Sequence, residues 1–160
     1  MIEALLAMCD KNLDYARRLV ADIPDAKAAA QPSPQSPMNH AAWVVGHLAQ
    51  VADFYGTQLG LPATAPKEWG AMFGGSSKPT DGQGYPSKAV LLKALEDGHA
   101  RNVAAVRAKD AAFWQAPADE KRRQRFPTMG HFLVHMLVNH GAIHLGQLSA
   151  WRRVQGLPSV

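Results

Sequence analysis

The chain has a single cysteine, no long apolar run, no alternating strand pattern and no HExxH motif, and each absence narrows what it can be. With Cys9 alone no intrachain disulfide can form, and nothing points to an oxidising compartment. No apolar stretch approaches the roughly 20 residues needed to span a bilayer. The opening "MIEALLAMCDKNLDYARRL" becomes charged too early for a secretory signal, so a cytoplasmic protein is expected. Without period-two alternation there is no candidate sheet, and without HExxH the common metalloprotease pattern is missing. No internal repeat is present.

Positive charge is in modest excess: 17 Lys and Arg against 13 Asp and Glu, a formal net charge of +4. It concentrates in "KRRQR" (Lys121 to Arg125) and in Arg152 with Arg153. Neither patch carries interleaved aromatics or a groove-reading motif, so a solvated basic face is expected rather than a nucleic-acid interface. The expected partner is a small-molecule substrate, with neither nucleic acid nor membrane.

A length of 160 residues suits one domain, residues 1–160, with a substantial core. Four long segments have helical period. In the first, from Ile2 to Asp22, Ile2, Leu5, Leu6, Cys9, Leu13, Ala16 and Val20 form an apolar stripe. Cys9 lies within it and reads as a small buried hydrophobe. Three prolines in "QPSPQSPMN" break the chain, and Asn39 is the expected cap of a second helix ending near Leu59. The Gly- and Pro-rich "GLPATAPKEWGAMFGGSSKPTDGQGYP" then crosses the bundle, with a helical turn near "EWGAMF". Connections of this length are uncommon in compact domains and often line functional sites. Ser87 caps a third helix that buries Leu91, Leu95 and Val106, and the polar link "APADEKRRQRFPT" leads to a fourth, from about Met129 to Val154. The expected fold is all-α, a four-helix bundle with a long crossover.

The fourth helix holds two HxxxH pairs, His131/His135 and His140/His144. At about 100° per residue, His140 and His144 lie near 180° and 220° from His131, on the side of Leu137, Leu148 and Trp151. His131 and His135 therefore face solvent, and His140 and His144 face the core. Two buried imidazoles are costly unless their nitrogens find partners, and a divalent cation would satisfy both. His47, on the second helix's apolar stripe with Trp43, Val44, Val51 and Phe54, supplies a third ligand. Gly46 beside it costs helix propensity, which suggests close packing there. His40, two turns earlier at the start of the helix, is an alternative ligand, and His99 is expected at the surface.

"WVVGHLAQVADFYGTQLGLP", the long loop, "YPSKAVLLKALE" and the terminal "HGAIHLGQLSAWRRVQGLP" resemble the DinB-like family of bacterial four-helix proteins. The family is named for DNA-damage induction and is distinct from the translesion polymerase of similar name. The resemblance implies a divalent metal in the bundle core on His47, His140 and His144, and a homodimer. It also implies kinship with S-transferases and isomerases that use bacillithiol, mycothiol or glutathione.

Three imidazoles leave coordination positions open, the pattern of a catalytic rather than a closed structural site. Zinc or nickel is the expected ion, and iron, cobalt and manganese also suit such donors. A bound low-molecular-weight thiol would be held as thiolate, ready to attack an electrophile. Bound water could instead serve a hydrolase. A third reading is a stress-related, metal-binding or dimerising bundle without catalysis. No carboxylate accompanies the histidines, which favours thiol S-transfer. Gln147 and Trp43 are candidate substrate contacts; Asn102, on the third helix's stripe, is a candidate support for the ligands. Trp151 is a second candidate wall.

Overall fold

The computed structural model describes residues 1–82 and 84–160, and the described residues form helices with no strand. An isolated bridge joins Pro117 to Thr128. The long helices are α1 (Ile2–Ala21), α2 (Ala41–Gln58), α4 (Lys88–Arg107) and α8 (Gly141–Val154). Short helices α3 (Trp69–Phe73), α5 (Ala111–Gln115) and α6 (Glu120–Arg123) lie in the connections, and α7 (Met129–Val134) is the first segment of the helix that ends as α8. Helix α2 packs against α4 and α8, and α1 against α8 and α4, which closes the four-helix bundle. The crossover between α2 and α4 carries α3, whose Trp69 and Phe73 are buried against α2.

The two "GLP" triplets stop helices by the same device. Gly60 has φ +86° and Gly156 φ +74°, conformations that favour glycine. In each, the following leucine amide bonds back into the last turn: Leu61 to the Gly56 carbonyl and Leu157 to the Arg152 carbonyl. Ser87 caps α4, its hydroxyl accepting from the Val90 amide. Helix α2 is capped by His40 rather than Asn39: the His40 Nδ1 accepts the Trp43 amide at 3.2 Å. His40 is fully buried and its Nε2 meets the Thr80 carbonyl at 3.0 Å, so both ring nitrogens are engaged.

Three further expectations change. The polar link contains α6 and is preceded by α5, each too short to show a period. Arg152 is not part of a solvated basic face. It is buried, pairs with Asp22, and donates to the carbonyls of Leu19 and Pro158, tying α8 to the end of α1. Phe54, expected inside, is 37% exposed and lies under the Arg122 guanidinium.

The last long helix is not uniform. Residues His135–His140 form a π-helical turn between α7 and α8. Bonding from i to i+5 widens the winding, and such turns are rare and concentrate at functional sites.

Candidate metal centre

His47 comes from the middle of α2, His140 from the end of the π-turn, and His144 from the first turn of α8. Each can offer a nitrogen such that all three lie within 4.8 Å of one another. Ring centroids are 5.1 Å apart for His47 and His140, 4.4 Å for His47 and His144, and 4.5 Å for His140 and His144. Among the described residues this is the one cluster of three or more such side chains.

The proton inventory shows what the cluster suits. A neutral imidazole has one donor and one acceptor nitrogen. His47 Nδ1 lies 2.6 Å from the Phe73 carbonyl, which can only accept, so His47 spends its donor there. Its Nε2 is then an acceptor, and it faces His140 Nε2 at 3.2 Å. If His140 donates across that gap, its own Nδ1 becomes a buried acceptor; if it does not, two lone pairs face each other. The Nδ1 atoms of His140 and His144 are buried without a partner in either case. A cation takes converging lone pairs, and nitrogens on a tetrahedral zinc lie about 3.3 Å apart. The donor set therefore fits a divalent metal, held by His47, His140 and His144.

Electrostatics keep these rings ready to ligate. Burial pushes His140 down to about 3, helped by the charges of His144, His47 and His135. Burial, then the charge of His47, brings His144 to about 4. His47 is also lowered by burial, against the pull of the Phe73 carbonyl. All three are neutral at pH 7, the form that binds metal.

The surroundings hold His47 in place. Trp43 stacks on it at 4.7 Å with the planes 6° apart, and the indole Nε1 donates to Ser77 Oγ at 3.0 Å. Trp43 also lies 5.9 Å from the His144 ring. A Cβ on Gly46 would collide with the Phe73 ring, so the glycine lets Phe73 close over the centre and deliver its carbonyl to His47. The cost of glycine at this position was the sequence signal for that packing. Phe73 and Ser77 left no signal of their own, because one acts through its backbone and the other is a loop serine.

Other candidates are placed differently. Gln147 is exposed, and its Oε1 accepts from Asn39 Nδ2 at 2.8 Å, a bridge from α8 to the start of α2 beside the centre. Asn102 is buried and donates to the Ala52 carbonyl at 2.9 Å, between α4 and α2 and outside the histidine cluster. Trp151 is in the core and donates to the Ala30 carbonyl. His40 caps α2 and is outside the cluster. His99 is half-buried and meets Asp10 at 2.7 Å. His131 is exposed as expected, whereas His135 is half-buried. The π-turn brings it to 6.3 Å from the His140 ring and 5.0 Å from Phe126. Burial, then the Arg125 guanidinium, lowers its pKa.

A long-helix bundle with three inward histidines defines the class as an all-α protein with a site suited to metal. Over residues 8–148 the chain matches the DinB superfamily, and it belongs to that superfamily. No curated protein matches it in sequence.

Proposed function

We propose that the protein is a metal-dependent enzyme that joins a low-molecular-weight thiol to a small electrophile. The observation that carries this reading is the donor set: three neutral histidines converge with no carboxylate among them. Metal-dependent hydrolases commonly place a carboxylate beside the ion as general base, and none belongs to this cluster. A bound divalent cation supplies Lewis acidity that favours thiolate over thiol at neutral pH. In the net reaction the thiol S–H proton goes to solvent, a carbon–sulfur bond forms, and the bond to the leaving group breaks with its electron pair.

The chain's own contribution is placement. Phe73 and Trp43 fix the His47 ring, and burial keeps all three rings uncharged. The bridge between Asn39 and Gln147 stands beside the centre, where its amides can contact a polar substrate group.

The test uses zinc-loaded protein with glutathione, cysteine or bacillithiol and an alkyl halide or epoxide, following thioether formation by mass spectrometry. Thiol-dependent product that His144→Ala abolishes supports the proposal. Electrophile consumed equally without any thiol would replace it with a hydrolase. No turnover across the panel would leave a binding protein.

A further inference from the structure

The hydrophobic core falls into two clusters, one built around Trp43, Leu48 and Leu145, the other around Leu6, Val51 and Leu137. Where they meet there is a partly open cavity of about 50 Å³. Ala16 and Leu48 line it from one cluster, Val51 and Leu137 from the other, and His140 forms part of the wall. Protein interiors are normally close-packed, so a gap left between two core clusters is a departure from the usual packing. The π-turn supplies Met136, Leu137 and His140 to the same wall. Two departures from ideal packing thus coincide at a residue of the three-histidine centre.

We propose that this cavity is a binding subsite for a short, uncharged aliphatic group of the substrate held at the centre. The inference rests on the reading of that centre as a metal site that takes substrate. Size sets the class: an engineered apolar cavity of about 150 Å³ holds benzene or xenon, so about a third of that volume holds two or three carbons. Chemistry agrees, because apart from His140 Nδ1 the polar groups named here are already engaged. Asn12 Nδ2 donates to the Val138 carbonyl at 2.9 Å, and His99 is paired with Asp10. Cys9 also lines the cavity, but its thiol donates to the Leu5 carbonyl and burial pushes it up to about 11. It is therefore a wall atom and not a nucleophile.

Two measurements test this, one of them without metal. Metal-free protein is titrated with xenon and followed by amide NMR. Saturable shifts centred on Ala16, Leu48 and Leu137, lost in Ala16→Leu, are expected; no saturable binding overturns the proposal. Cobalt-loaded protein is then titrated with methanethiol, 1-propanethiol and 1-hexanethiol, reading the thiolate-to-cobalt absorption band. Two buried methylenes predict about 15-fold tighter binding of propanethiol than methanethiol, with no further gain for hexanethiol. In Ala16→Leu that preference disappears while one equivalent of cobalt still binds. Equal affinity for methyl and propyl thiols in wild type, or an unchanged preference in the variant, refutes the subsite. Val51→Leu fills the same wall if Ala16→Leu does not fold. Xenon binding with no cobalt–thiolate band would refute the thiol reading and leave the cavity as a binding site.

Discussion

Replacing Gly46 with alanine puts a methyl group where the Phe73 ring lies, and two opposite effects then compete. Alanine is the better helix former by about 1 kcal/mol. Phe73 is fully buried, so its ring cannot swing into open space, and overpacking a closed core costs about 1–3 kcal/mol. The expected net change is a loss of up to about 2 kcal/mol. In a Phe73→Ala background the clash is gone, and the same methyl should instead stabilise by about 1 kcal/mol. That change of sign is a coupling of about 1–3 kcal/mol, the size found for residues in contact. Urea unfolding of the four proteins of the cycle measures it. Metal binding gives a second reading, because a displaced Phe73 takes its carbonyl away from His47 Nδ1. Loss of such an outer contact weakens metal affinity by about 10–100-fold, readable by cobalt titration. If Gly46→Ala stabilises the protein equally in both backgrounds, the account of Phe73 as the clamp on His47 is wrong.

Acid should destabilise the metal-free protein in a defined window. His140 and His144 have folded values of about 3 and 4, below the ordinary value of 6.5. The unfolded chain therefore binds more protons than the folded one between roughly pH 6.5 and 4, and stability falls as pH falls through that range. Thermal midpoints between pH 7.5 and 4.5 should show the decline, flatter in His144→Gln; a midpoint independent of pH would contradict it. Arg152→Ala should cost about 3 kcal/mol by denaturant unfolding, since it removes the buried tie between α8 and α1. A change under about 0.5 kcal/mol would show that tie to be decorative. His40→Ala should lose about 1 kcal/mol with the α2 cap, whereas His40→Asn, which keeps an acceptor, should lose less; the reverse order would count against the cap.

The four long helices were legible because their apolar residues repeat over several turns. Helices α5 and α6, of five and four residues, are too short for any period to accumulate. The convergence of His47, His140 and His144 followed from helical phase, since His140 and His144 share a face and His47 sits on the inner stripe of another helix. His135 was misplaced for the same reason, because the phase argument assumes uniform α winding. A π-turn at His135–His140 has no compositional signature, and it moves His135 toward His140. Arg152 read as solvent-facing beside Arg153 because its partner Asp22 lies 130 residues away, a separation that no local pattern reports. Asn39 is the better intrinsic cap, yet His40 won because Thr80 and the Trp43 amide together satisfy both of its nitrogens in a buried position.

The central claim is that His47, His140 and His144 hold a divalent metal, and metal content measures it most directly. Protein prepared without a histidine tag is analysed by elemental mass spectrometry, wild type beside His144→Ala. The account predicts close to one equivalent of a divalent transition metal in wild type and its loss in the variant. Wild type that is metal-free and takes up neither zinc nor nickel on addition would contradict it.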